Sequence, residues 1–402
     1  MLSNSKVSRR ANLILLIHLA FVLVGVGSTQ LGVILPALSR QLGLDDAQSG
    51  GLSAAQYVGS LLGTLVTNFL WRRLGFLPSL MLGLLGMAIG IGAIGLSHWT
   101  IVAIGIFING LGVGLAIPTA NLLVANLFRT RAAAALNILN FAWGSGALIC
   151  PALFGLFGTQ TDVRFPLFSL AIALFLVASS FILFKNNFAE VAADNQNDRN
   201  ESVPVAASRL WLTPFAILIA ALLFFYVGVE NSCGYWLTSY ALRLQSIENS
   251  LLSQTTIGFW AAFLLGRLCA PIGLKRLTAT RLIFVCLLIA TAGAAILLAT
   301  SNQLVLLIGA LLTGFGLAPI FPTALALFTA RFGAAANSEA RWLFIASTFG
   351  GATITWLVGF FSKTFGNLRS GLLVAFVCCL LMIVLQAFLI KNENAASRKQ
   401  HN

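Results

Sequence analysis

The chain has 402 residues, of which 58% are hydrophobic and 9% charged, where a soluble domain carries roughly 25% charge. With a mean hydropathy of +0.93 it cannot cover a water-facing surface, which excludes a soluble enzyme and a disordered segment. The net charge of +13 would suggest nucleic acid on a soluble chain, but on one this apolar it points to the positive-inside bias of membrane proteins.

A bilayer core about 30 Å thick needs about 20 apolar residues per helix. Lys6, Arg9 and Arg10 precede a run from Ala11 to about Leu38, too long for the apolar core of a signal peptide, so it reads as an uncleaved first span. In chain order the expected spans are 12–38, 48–70, 77–96, 100–126, 132–157 and 166–184. The second half gives 212–241, 252–272, 282–299, 304–330, 342–362 and 370–390. Their Leu, Ala, Gly and Phe follow helical rather than alternating periodicity, so helices are expected and not a barrel. Residues 185–209 are polar and of mixed charge, reading as a cytoplasmic linker between an N-terminal half (1–184) and a C-terminal half (210–390), with 391–402 as a tail. With both termini cytoplasmic, 18 Lys and Arg fall inside and five outside, which sets the expected orientation in the plasma (inner) membrane.

The halves repeat. GLGVGLAIPTA at 110–120 aligns with GFGLAPIFPTA at 314–324, pairing Gly110 with Gly314, Gly112 with Gly316, Pro118 with Pro322 and Thr119 with Thr323 at one offset of 204. The same offset pairs Gly146 with Gly350 and Gly155 with Gly359. Ordinary helix packing explains any one glycine, but not a shared offset. Two parallel six-helix repeats are a transporter architecture with a substrate site near the bilayer midplane. The prolines and glycines suit close packing and local bends, which makes Pro118 and Pro322 gating candidates.

Over essentially its whole length the sequence resembles the major facilitator superfamily. YVGVENSCGYWLTSY (226–240), GFWAAFLLGR (258–267), GFGLAPIFPT (314–323) and LNILNFAWGSGALICP (136–151) are similar to its fucose-permease-like branch of sugar symporters. The resemblance implies an all-α membrane protein of twelve helices in two pseudo-symmetric halves. Two departures limit what it transfers. The loop after the second span reads Arg72-Arg73-Leu74-Gly75 without the family's acidic residue, so the usual gate charge there is missing although Arg72 and Arg73 stay gating candidates. Gly32 and Ile117 stand where fucose permease has its two membrane carboxylates.

A charge at the bilayer centre costs about 2.5–3.5 kcal/mol on insertion scales. Glu230 is such a charge, about 18 residues or roughly 27 Å into span seven. Its carboxylate can carry a proton, coordinate Na⁺ or accept bonds from sugar hydroxyls; the alternative is a structural carboxylate beside Gly228. Arg267 lies near the cytoplasmic end of span eight and is expected to snorkel or brace a gate, with an axial offset of about 20 Å arguing against a pair with Glu230. A neutral polyol asks for amides and aromatic faces. Gln30, Asn109, Asn121, Asn137, Asn140 and Trp143 supply these in the first half, and Tyr226, Tyr235, Trp236 and Tyr240 in the second. Each has a structural alternative, as a helix bridge or interfacial belt residue. His18 reads as hydrogen-bonded structure, Trp71 and Trp342 as interfacial anchors, and the six cysteines as small apolar residues.

No P-loop, HExxH or paired carboxylates within a span argue for an enzyme or an ATP-driven pump. The expected function is alternating-access transport of a small polar, sugar-like solute by H⁺ or Na⁺ symport, by a monomer needing no cofactor and no nucleic acid. Efflux of an amphipathic compound by antiport, or solute sensing without translocation, are the competing readings.

Overall fold

The computed structural model describes residues 2–128, 132–159, 162–184, 207–245, 254–332 and 334–401. Of the expected linker, residues 185–206 lie outside them. All regular structure among the described residues is helical: α1 (Leu2–Leu42), α2 (Asp46–Leu74), α3 (Phe76–Ile94), α4 (Trp99–Leu127), α5 (Ala132–Phe157) and α6 (Arg164–Ser180), then α7 (Pro214–Gln245), α8 (Gln254–Leu274), α9 (Ala279–Ala299), α10 (Gln303–Leu317), α11 (Ile320–Phe332), α12 (Ala334–Phe365) and α13 (Leu368–His401). Eleven stretches among the described residues are long and apolar enough to cross a bilayer, α10 and α11 counting as one. The 29-residue α2, richer in Ser, Thr, Gln and Gly, falls outside that set and supplies the twelfth. Helices suit this environment because they pair every backbone polar group within one segment.

The chain folds into two compact units. Among the described residues, unit 1 falls within Met1–Gly43 and Ala55–Val203, and unit 2 within Leu44–Ala54, Pro204–Asn249 and Ser253–Asn402. The first two turns of α2 thus belong with the second unit and the rest of that helix with the first.

Within unit 1, α1 packs on α5, and α3 on α4 and α6; within unit 2, α7 packs on α12, and α9 on α10 and α13. The repeat seen in the sequence is built into these contacts. A Cβ on Gly110 would strike the backbone carbonyl of Gln56 in α2, and one on Gly314 that of Phe259 in α8. Gly112 sits against Gly83 and Met87 of α3, and Gly316 against Cys286 and Ala290 of α9. Gly146 meets the Val22 carbonyl of α1, and Gly350 the Phe224 carbonyl of α7. Lipid tails are as apolar as side chains, so close backbone approach and dispersion supply much of what holds such helices together.

The expected tenth span differs in one respect from its counterpart. Pro118 sits inside an unbroken α4, whereas the equivalent stretch breaks at Ala318 and Pro319 between α10 and α11. Pro319 stands where the first half has Leu115, and with Pro322 three residues on, two amide donors are absent from one turn. The prolines leave the Phe315 and Ala318 carbonyls without their i+4 amide donors, while the Thr323 amide (at 3.2 Å) and hydroxyl both donate to the Pro319 carbonyl.

Replacing Gly110 or Gly314 by Val should overpack α2–α4 or α8–α10 and destabilise its unit by about 1–3 kcal/mol or more. Thermal unfolding in detergent should fall by several degrees for either variant, whereas Gly51→Ala, at a site with open space around it, should leave it unchanged or raise it.

Candidate functional site

Buried polar groups gather in several clusters within each unit, of which the following bear on function. In unit 1, residues 25 and 28 of α1 face α5. Gly25 lies against the Trp143 backbone, and the Trp143 indole donates to the Ser28 hydroxyl at 3.1 Å. The Gln56 amide of α2 donates to the Ser28 carbonyl at 3.1 Å. On α4 and α5, Asn140 donates to Asn121 Oδ1 at 3.4 Å, and each amide also bonds the carbonyl four residues back in its own helix. Ser28, Asn121, Asn140 and Trp143 are all half-buried. Deeper in the unit, Asn109 donates to the Gly27 carbonyl at 3.1 Å. Its Oδ1 and both polar atoms of the fully enclosed Gln30 amide meet no partner among the described residues. Such groups hold out for a water or a solute hydroxyl. Asn137 is exposed on α5, away from this set.

Unit 2 holds the charged cluster. Tyr226 and Glu230 are four residues apart on α7 and so share a face. Both are buried. Glu230 interacts with the Arg267 guanidinium and the Tyr226 hydroxyl, and Tyr226 with both charges. Among the described residues the Tyr226 oxygen meets no partner with full hydrogen-bond geometry, so this contact is loose. The Tyr226 ring lies 6.0 Å from that of Phe321, and Arg267 spreads over Phe263 at 4.6 Å.

Between Arg267 and Glu230 the interaction is one of charge acting at a distance. Helix α8 continues to Leu274 and α7 begins at Pro214, so the axial offset between the two residues is nearer ~13 Å than ~20 Å by helical rise. A long side chain laid along apolar surface closes much of that gap.

The other aromatic candidates have their polar groups committed within unit 2. Trp236 donates to the Thr355 carbonyl at 3.0 Å, joining α7 to α12. Tyr240 donates to the Leu297 carbonyl at 2.9 Å and accepts from Arg369 at 3.3 Å. Tyr235 donates to the Ser49 carbonyl in the first turns of α2. Arg72 and Arg73 are exposed, resting on Trp71 and Phe69 at 5.7 and 4.5 Å. His18 Nδ1 lies 2.7 Å from the Ile14 carbonyl, as a structural histidine does, and Trp342 is exposed beside Arg341. Sequence reasoning passed over Ser28 and Gln56. The signal was present, since Gln56 sits in the least hydrophobic of the spans, where a polar residue has to face protein rather than lipid. No grouping of His, Cys, Asp and Glu able to hold a metal occurs among the described residues.

The profile of the Major Facilitator Superfamily matches residues 17–340. The chain belongs to the major facilitator superfamily. It is 26% identical over 355 residues to the glucose/mannose transporter of Bacillus subtilis, covering 84% of this chain and 85% of the relative. It is 22% identical over 406 residues to the L-fucose-proton symporter of Escherichia coli, covering 92% and 91%. Among solved structures, the inward open xylose transporter of Escherichia coli superposes with a TM-score of 0.73 at 15% identity, over 93% of this chain and 95% of that one. This major facilitator protein is a multi-pass membrane transporter of a small-molecule substrate, not an enzyme.

Removing one of two opposite charges that interact at membrane depth leaves the other uncompensated. Arg267→Gln and Glu230→Gln should each lower thermal stability more than the double variant does, a non-additivity read from a double-mutant cycle. Additive losses would mean that the two charges act separately.

Proposed function

We propose that the protein imports a hexose-like sugar by proton-coupled symport, with Glu230 as the proton carrier. The observation that carries this reading is the buried Glu230 carboxylate beside Arg267 and Tyr226. A carboxylate at membrane depth is costly and calls for a functional reason. The guanidinium's positive charge favours H⁺ over Na⁺ as the coupling ion. It repels Na⁺ but leaves room for a neutral proton transfer, and it compensates the carboxylate when the proton has left.

The amides and indole of unit 1 suit hydroxyl-bearing solutes: Asn121, Asn140 and Gln56 offer donors and acceptors together, and Trp143 offers an apolar ring for a sugar's C–H face. The relatives' sugars support the substrate class. Alternating access in a plasma-membrane monomer with both termini cytoplasmic completes the reading, the orientation following from the 18 inside and five outside cations. One proton moved per sugar under 100 mV supplies about 2.3 kcal/mol, roughly a 50-fold accumulation.

The test uses proteoliposomes and labelled D-glucose. The wild type should accumulate glucose under an inward proton gradient and lose that accumulation with a protonophore. Glu230→Gln should keep glucose counterflow within about threefold while losing accumulation entirely. Accumulation unchanged by the protonophore or by Glu230→Gln would rule out this coupling.

A further inference from the structure

Along α1 the Ser28 and Thr29 hydroxyls both donate to the Gly25 carbonyl, at 3.1 and 2.8 Å. A helix carbonyl lies beneath the side chains three and four residues on, as these bonds show. The Gly27 carbonyl therefore lies beneath Gln30 and Leu31. The Asn109 amide of α4 reaches this same carbonyl at 3.1 Å, so it comes up beside the Gln30 side chain, which leans back toward the start of its helix. The wall around them is apolar. Gly27 rests against Met87 and Ile91 of α3 and Leu174 of α6, and Gly90 against the Asn109 backbone. Gln30 is fully enclosed and Asn109 is 1% exposed.

Three polar atoms at this point are buried without a partner among the described residues: Gln30 Oε1, Gln30 Nε2 and Asn109 Oδ1. The identity of the Asn109 atoms is fixed, because a carbonyl only accepts and the atom on Gly27 must then be nitrogen. Buried polar groups are nearly always paired. The two amides could have satisfied one another, Gln30 Nε2 donating to Asn109 Oδ1, and they do not. The unmet set is two acceptors and one donor, so a matching molecule donates twice and accepts once. Water does this. A cation would suit the two oxygens but be repelled by the amide protons, and a single solute hydroxyl has one proton to give.

We propose that one internal water is held between Gln30 and Asn109, accepting from Gln30 Nε2 and donating to Gln30 Oε1 and Asn109 Oδ1. Three bonds are what a buried water typically makes. In a primary amide the N–H syn to the carbonyl points the same way as the oxygen. A single water therefore closes a ring with both and keeps its second proton for Asn109. Such a bridge holds nearly as well as a direct bond. It joins α1, which packs on α5, to α4, which packs on α3, and so ties the two helix groups of unit 1 at one polar point in an apolar wall. Gln30 and Asn109 thereby have a ligand of their own, apart from the half-buried Ser28, Asn121, Asn140 and Trp143. Neither the sugar nor the coupling ion enters into it.

The test is brief X-ray radiolysis of the purified full-length protein with no sugar added, followed by mass spectrometry. Hydroxyl radicals oxidise side chains next to the water from which they form, bound water included. Met87 is the reporter, since it is 0% exposed and its Cε lies against Gly27. It should be oxidised in the wild type, and at least about fivefold more slowly in Gln30→Leu, which removes two of the water's three bonds. Thermal unfolding reads the same bridge by another route. Gln30→Leu leaves Asn109 Oδ1 without its water and should lower the midpoint by about 2–4 °C. A dry amide would do the opposite, because replacing it with an apolar side chain of similar size should raise the midpoint. An unoxidised Met87 in the wild type overturns the bridge, and it does so even where Gln30→Leu fails to fold. Equal oxidation rates in the two proteins, or a midpoint unchanged or raised in Gln30→Leu, also overturn it.

Discussion

In a bilayer, two helices gain nothing by hiding apolar side chains from lipid, so they hold together largely by approaching more closely than lipid can. The glycines at 110, 112, 146, 314, 316 and 350 provide this approach, each resting on a neighbouring helix where a side chain would collide with backbone. That constraint places everything else. With α4 drawn against α2 and α5 against α1, Trp143, Ser28 and Gln56 come within bonding distance. With α12 held on α7, the Trp236 indole finds the Thr355 carbonyl, and the face of α7 that carries Tyr226 and Glu230 is fixed in rotation.

The two units use this shared frame differently. Unit 1 carries neutral amides and an indole, groups whose hydrogen bonds can be exchanged for those of a hydroxylated solute at little electrostatic cost. Unit 2 carries a carboxylate and a guanidinium, whose exchange involves charge. The two charges act on one another at membrane depth, so loss or gain of one proton at the carboxylate changes the balance between them. Under the proposed function, the neutral cluster would meet the solute and the charged one the coupling ion. The break at Pro319, absent from the equivalent position in α4, gives unit 2 an additional departure from the repeat beside its charged helix.

Much of this was legible in the residue string, because membrane physics leaves few options. Span length, the placement of Lys and Arg and the offset of 204 rest on constraints that act locally or on the whole chain, and helix count and pseudo-symmetry followed from them. Glu230 stood out for the same reason, as a charge where none is free. Side-chain pairing was less legible. Tyr235, Trp236 and Tyr240 have the chemistry of sugar-binding aromatics, yet their polar groups bond backbone carbonyls of other helices, a choice set by helix rotation rather than by composition. The axial distance from Arg267 to Glu230 depends on where α7 begins and α8 ends, bounds that the residue string marks only softly. The attachment of Asp46 to Arg243 and Ser362 joins residues 197 and 316 positions apart, and no periodicity reports contacts of that kind.

The central claim, that Glu230 moves a proton with each sugar, is tested most directly by recording pH while sugar enters de-energised, weakly buffered proteoliposomes. The account predicts that adding D-glucose outside draws protons inward and alkalinises the medium in the wild type, and that Glu230→Gln abolishes the pH change while glucose still equilibrates. Glucose entry without any proton movement in the wild type, or an undiminished pH change in Glu230→Gln, would contradict it.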